Sequence, residues 1–283
     1  MTRCFFVSDL HGKVDRYQKL FDAVLQHQPH ALFLGGDLLP HGFLSAQSQS
    51  NFVLDFLAVE FDRLQTKLAD AYPRVFIIFG NDDARAEESA VLEVEARGLW
   101  EYIHNRQTRF GEFAIYGYAC VPPTPFQLKD WERYDVSRFV DPGCISPEDG
   151  MRTVDVAARE MRYATIEKDL QRLTGDASLG SAVMLFHTPP YQTKLDRAAL
   201  DGKMVDHTPL DVHVGSIAVR RFIEKRQPLL TLHGHIHESA KLTGDWQDRI
   251  GGTPMFSAAH HGQELALIRF DLEDLETADR RLV

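Results

Sequence analysis

Short runs of β-branched, aromatic and aliphatic residues alternate along this chain with longer stretches whose apolar positions recur at helical spacing. Residues 3–8, 31–34, 74–79, 113–118, 181–186 and 229–232 are near-continuous apolar runs, which predict strands covered on both faces. Residues 254–257 and 264–270 predict two more strands, the second with partial alternation. Helices are predicted over 13–28, 51–71, 84–97, 147–173 and 216–226. The fourth has a start signal, with Ser146 as cap, Pro147 in the first turn and Glu148 and Asp149 behind it. Strands alternating with helices predict an α/β protein with a largely parallel sheet. Residues 119–145 break the rhythm: they are Pro-rich, aromatic and charged, with no clean period. Such a segment inside a compact domain forms a lid or a site wall. Its Phe126, Trp131, Arg133 and Tyr134 suit stacking on an apolar group and pairing with an anion.

Composition narrows the class. With 44% hydrophobic and 25% charged residues the chain is globular, and its 283 residues predict a single domain over 1–283. Lys and Arg number 31 against 41 Asp and Glu, a net charge of −10, which disfavours DNA, RNA and anionic lipid as partners. No apolar run reaches the roughly 18 residues that span a bilayer. The first residues hold too short an apolar run for a signal peptide. Three scattered cysteines, Cys4, Cys120 and Cys144, suit a reducing compartment and predict a cytoplasmic protein. Homo-oligomerisation is left open.

The residues that directly follow the strands carry the chemistry. After the first comes Ser8-Asp9-Leu10-His11-Gly12, after the second Gly36-Asp37, after the third Gly80-Asn81-Asp82-Asp83. The run ending at Phe186 is followed by His187, and the one ending at Leu232 by His233-Gly234-His235-Ile236-His237. In a parallel sheet these positions share the rim at the carboxyl ends of the strands, where α/β proteins place ligands. Carboxylate, amide oxygen and imidazole without thiolate suit Mn, Fe or Zn rather than a structural zinc site. Asp-x-His alone is weak, expected about once in a chain of this composition, and Asp211-x-His213 is a second copy. Gly-His-x-His is expected only about 0.04 times, so it weighs heavily. On a tight turn His235 and His237 could reach one metal each.

The series Asp9-x-His11, Gly36-Asp37, Gly80-Asn81, His187 and Gly234-His235-x-His237 resembles the calcineurin-like metallophosphoesterase superfamily, in its bacterial phosphodiesterase-type branch. The resemblance spans residues 9–237. It implies a four-layer αββα sandwich and a site for two divalent or mixed-valence transition-metal ions, such as Mn, Fe or Zn. Carried over block by block, Asp9, His11 and His237 would bind one ion, Asn81, His187 and His235 the other, and Asp37 would bridge them. Many members carry His where this chain has Asp82, and there the His helps protonate the leaving group. A carboxylate beside two cations is held ionised, so Asp82 is expected to be a poor acid and turnover to depend strongly on the leaving group.

Charge arithmetic favours a substrate. Two divalent ions less Asp9 and Asp37 leave +2, which a bridging hydroxide and one phosphodiester oxyanion balance, ready for in-line attack. A phosphomonoester dianion overshoots by one charge. The expected function is therefore a phosphodiesterase acting on a small or nucleotide-like phosphoester, with a phosphomonoesterase as the alternative. A nuclease would need a basic stripe, and a non-catalytic scaffold should have lost ligands. His213 is a candidate catalytic group. Ser216, His260, His261, Lys194 and Arg197 are candidates to orient ligands or contact phosphate, or for Ser216 to cap a helix.

Overall fold

The computed structural model describes residues 1–41 and 51–283. Its strands form two six-stranded sheets. In the first, β1 (Arg3–Val7), β2 (Ala31–Gly35), β3 (Arg74–Ile78) and β4 (Glu101–Tyr102) run parallel. The antiparallel β13 (Ala266–Asp271) and β14 (Asp274–Leu282) extend it beyond β1. In the second, β6 (Phe113–Tyr118), β7 (Ala182–Phe186), β10 (Leu230–His233) and β12 (Thr253–Ser257) are parallel neighbours in that order. Antiparallel β5 (Arg106–Phe110) and β11 (Gln247–Ile250) close its two edges. A separate hairpin pairs β8 (Met204–Val205) with β9 (Thr208–Pro209).

The sheets pack face to face because their central strands are apolar on both sides. Phe76 of β3 meets Phe110 of β5 edge-on, and Phe270 of β13 meets Phe256 of β12. Helices cover the outer faces, completing the four-layer αββα sandwich. On the first sheet lie α1 (Val14–His27), α2 (Ala58–Leu68, entered through a π-helical turn at Val53–Leu57) and α3 (Glu88–Ala96). Phe61 of α2 stacks edge-on between Phe21 of α1 and Trp100. On the second sheet α5 (Ile166–Thr174) packs beside α6 (Ile217–Arg226), whose Phe222 meets Phe186 of β7. The short α4 (Ala158–Tyr163) and α7 (Ser239–Thr243) complete the set. No helix among the described residues is long and apolar enough to cross a membrane.

The predicted helix over 147–173 does not form as one element. Residues 147–157 continue the irregular path of 119–145, and only α4 and α5 are helical. Gly150 lies so close to the Lys129 side chain that a Cβ would overlap it, and Met151 bridges to Leu128. Packing against the irregular segment thus overrides local propensity. Ser146 accepts Glu148 N–H within a turn, at 3.1 Å, rather than capping a helix. Thr165 is the cap that works, accepting Lys168 N–H at 3.2 Å to start α5.

Candidate metal centre

Four of the candidate ligands sit in left-handed backbone: Asp9 (φ 59°), His11 (φ 48°), Asp37 (φ 51°) and His235 (φ 73°). Non-glycine residues rarely adopt this conformation, and it persists only where the surroundings over-determine it. Here they do. The Asp9 and His11 N–H groups donate to the carbonyls of Gly36 and Asp37 at 2.9 and 2.8 Å, zipping the loop after β1 to the loop after β2. The fully buried Asp83 accepts N–H groups from Leu38 (2.9 Å), Leu39 (2.7 Å) and Gly80 (2.8 Å), tying the loop after β2 to that after β3. His235 N–H donates to Asp9 Oδ1 at 3.0 Å, joining the two sheets at the rim. Gly80 and Gly234 lie where a Cβ would overlap Asp37 and Ser8 respectively, so only glycine lets these loops approach.

The side chains so positioned fall into two groups that share Asp37. Ligand atoms of Asp9, His11, Asp37 and His237 lie within 4.8 Å of one another, as do those of Asp37, His187 and His235. Asp37 faces both, with Oδ2 3.9 Å from His11 Nε2 and Oδ1 3.4 Å from His187 Nε2. Asn81 Oδ1 lies 3.2 Å from His187 Nε2, on the side of the second group. His11 Nε2 and His237 Nε2 point at each other across 3.1 Å, and His237 Nε2 is also 3.1 Å from Asp9 Oδ1. Imidazole nitrogens and carboxylate oxygens converging in this way, with no thiol among them, fit a pair of divalent transition metals.

The protein braces the far side of these rings as well. His187 Nδ1 lies 2.8 Å from the Gly35 carbonyl, which makes that nitrogen a donor and turns Nε2 toward Asp37. His11 Nδ1 lies 3.1 Å from Asp82 Oδ2. Burial alone would lower the pKa of His11, but the bond to Asp82 and the charges of Asp37 and Asp9 raise it to about 9. His187 is raised to about 9 in the same way, Asp37 outweighing burial. Asp37 is held well below the usual carboxylate range by His187 and His11 despite its burial. Burial, reinforced by neighbouring His187, lowers His235 to about 3. The carboxylates thus draw positive charge to the site, and with no ion bound His11 and His187 supply it as protons.

Other predicted residues separate clearly. His213 lines the cavity above the groups, and its Nδ1 lies 2.8 Å from the buried Asp196. Ser216 caps α6, accepting Val219 N–H at 3.0 Å. Lys194 pairs with Asp245 and Arg197 with Asp201, at 2.9 and 2.5 Å, and neither lines the cavity. His260 pairs with Glu264 at 3.1 Å away from the ligands, and neither it nor the exposed His261 lines the cavity. Of the four proposed wall residues only Phe126 faces the cavity. Trp131 is buried and donates to the Asp83 carbonyl at 2.8 Å. Tyr134 donates to Glu148 at 2.7 Å, and Arg133 pairs with Glu160 at 2.6 Å, so both serve packing.

Two residues at the rim have no motif to announce them. His41, four positions after Asp37, lines the cavity with Nδ1 3.0 Å from Asp82 Oδ1. Arg16 of α1, buried, donates to the Asp9 carbonyl at 2.6 Å and to that of Gly262 at 2.6 Å. A buried arginine on an otherwise amphipathic helix is the only signal for it. His233, by contrast, is a core histidine between the Thr188 carbonyl and the Thr231 hydroxyl, and burial lowers it to about 4.

Comparison with known proteins agrees with this fold. The chain is similar in structure to TT1561 of Thermus thermophilus, at 16% identity and TM-score 0.57, covering 99% of this chain and 98% of that one. It is similar also to a dimetal phosphatase from Danio rerio, at 13% identity and TM-score 0.51, covering 94% and 91%. At these identities the likeness is one of fold. No curated protein sequence matches the chain. The sequence profile described as calcineurin-like phosphoesterase matches residues 2–239. Members use a dinuclear divalent metal site to hydrolyse phosphoric esters, and the two groups around Asp37 supply candidate ligands for one. The chain belongs to the calcineurin-like phosphoesterase family.

Proposed function

We propose that the protein is a two-metal phosphodiesterase of small-molecule substrates, built as one domain with residues 119–145 as the wall of its cavity. Asp9, His11 and His237 would hold one ion, Asn81, His187 and His235 the other, and Asp37 would serve both. The observation that carries this reading is Asp37, whose two oxygens face different imidazoles. Two divalent ions there would acidify a water and neutralise phosphoryl oxygens.

The chain's own groups do the rest. Asp82 accepts from His11 Nδ1 and so leaves Nε2 as the nitrogen that would bind a metal ion. Asp82 also holds His41, and this imidazole, beside the first group and in the cavity wall, delivers the proton to the departing alkoxide. His213, oriented by Asp196, contacts substrate from farther along the wall. The preference for diesters follows from charge. Asp9 and Asp37 would leave two ions with +2, which a hydroxide and one diester oxyanion would balance, and among the described residues lining the cavity there is no Lys or Arg to meet the extra charge of a monoester. The absence of Lys and Arg from the described cavity lining likewise disfavours nucleic acid as the substrate. Free Cys4, Cys120 and Cys144 support a cytoplasmic setting.

The test is matched aryl mono- and diesters assayed on metal-reconstituted protein. The diester should have the higher kcat/KM, and a monoester preference would contradict the assignment.

A further inference from the structure

The cavity above the candidate metal centre measures about 960 Å³, the upper end of the range for small-molecule sites. Its floor is polar, with His11, Asp37, Asn81, Asp82, His235 and His237. Its walls mix polar groups with two sets of apolar residues, Pro122, Pro125, Phe126, Val136 and Phe139 from the irregular segment, and Leu200, Val205, Leu210, Ile217 and Ile236 from later in the chain. The two sets meet at Gly143, where a Cβ would lie 3.2 Å from Val205 and 3.9 Å from Leu210. Phe126 and Phe139 are 58% and 69% exposed at the mouth, where single large apolar residues have no packing role.

Three of the four acidic residues in the walls, all but Asp141, accept hydrogen bonds from the scaffold. Asp135 accepts from Ser216 Oγ and from the Ile217 and Ala218 N–H groups at the start of α6. Asp211 accepts from Tyr191 Oη at 2.5 Å and from His213 N–H at 2.8 Å. Glu238 accepts Ala199 N–H at 3.1 Å. No Lys or Arg lines the cavity among the described residues, and residues 42–50, outside them, contain neither. A nucleoside diphosphate or any ester with a second anionic group away from the floor would therefore bury that charge with no Lys or Arg of the described lining to meet it.

We infer that the substrate is a phosphoester carrying one large apolar alcohol group, a long alkyl or alkyl-aryl chain, with no second anionic centre. The phosphoryl end meets the polar floor, and the chain lies between the Phe126–Phe139 side and the Val205–Leu210 side. This rests on the phosphodiesterase reading above and narrows it to a lipid-like class of ester.

The experiment uses metal-reconstituted protein and p-nitrophenyl alkyl phosphates from methyl to octyl, below micelle formation. Each methylene that enters the cavity should raise kcat/KM about two- to fourfold, so the hexyl ester should exceed the methyl ester at least tenfold. Turnover that is flat or falls with chain length overturns the inference and leaves the phosphodiesterase reading standing. If no diester is turned over, that reading fails, and calorimetry of octyl phosphate against methyl phosphate decides the inference alone. Octyl phosphate bound more than tenfold tighter supports it, and equal affinities overturn it. Phe126→Ala with Phe139→Ala, both exposed and so sparing the core, and separately Leu210→Lys, complete the test. The octyl-to-methyl ratio should fall several-fold in either, and a ratio unchanged in both overturns the inference.

Discussion

The strand-end loops and the irregular segment above them face one cavity but are braced against different things. Each strand-end loop is tied to the loop of another strand: the Asp9 and His11 N–H groups bond across to the next loop, and Asp83 gathers three N–H groups from two loops. Residues 119–157, which carry neither helix nor strand, are tied largely to one another, Val121 to Trp131 and Arg133, and Lys129 and Gln127 to Met151. There the fully buried Lys129 and Glu132 pair at 2.6 Å, and Asp130 accepts the N–H groups of Arg85 and Thr153 at 2.8 and 2.9 Å. Bonds between loops of different strands hold the candidate ligands in register with both sheets. A segment tied largely to itself can change without moving them, and the proposed division between metal binding and substrate choice rests on that contrast.

The sharpest way to break this contrast is Asp37→Ala. It should remove both ions and lose more activity than the about 10–100-fold typical of groups that only orient a ligand. Metal content and turnover near wild type would end the bridging assignment. Next is His41→Ala, expected to cost about 10²–10⁴-fold with alkoxide leaving groups and little with p-nitrophenolate. A series of esters with graded leaving-group acidity, run on this variant and His213→Ala, checks it. A uniform loss would remove His41 as the proton donor, and steeper dependence in His213→Ala would give that role to His213.

Lys129→Met probes the other region. It strands Glu132, which burial already raises to about 7, and should destabilise the fold by about 3–5 kcal/mol. Lys129→Met with Glu132→Leu should recover most of that in denaturant melts, with metal binding intact. Equal loss in single and double variants would mean that the pair is not what braces the segment. Asp82→Asn should weaken metal binding by about 10–100-fold, read by competition with a chelating dye. Unchanged affinity would show that the bond to His11 does not orient that ring.

A smaller effect follows from protonation. In the metal-free protein His11 and His187 have folded pKa values of about 9 against the ordinary 6.5. A raised folded pKa stabilises fully below 6.5, and the contribution disappears as pH rises through 9. The metal-free Tm should therefore fall between pH 6.5 and 9, while metal affinity rises and loading releases protons over the same window. A flat metal-free Tm would contradict the charge assignment.

What the sequence made legible follows the same division. β1, β2, β3, β6, β7 and β10 read as strands because both their faces are mostly buried and their apolar runs are continuous. Asp9, Asp37, Asn81, His187, His235 and His237 were visible because each directly follows such a run. β14 was hidden: an exposed edge strand reading Asp-Leu-Glu-Thr-Ala-Asp-Arg-Arg-Leu has no apolar period, and charge at an edge deters pairing with other chains. The left-handed backbone at four candidate ligands was equally invisible, since it comes from contacts between loops distant in sequence. His41 was missed as a lone histidine in a loop, though its place just past Asp37 put it on the same rim. Trp131 and Tyr134 looked like a wall because their partners, Asp83 and Glu148, cannot be read from spacing.

The central claim is that one carboxylate, Asp37, holds two ions together. Metal content per chain, measured by elemental analysis after saturation and removal of loose metal, tests it on wild type and Asp37→Ala in parallel. The prediction is two ions in the wild type and fewer than one in the variant. A single ion in the wild type, or two retained in the variant, would contradict it.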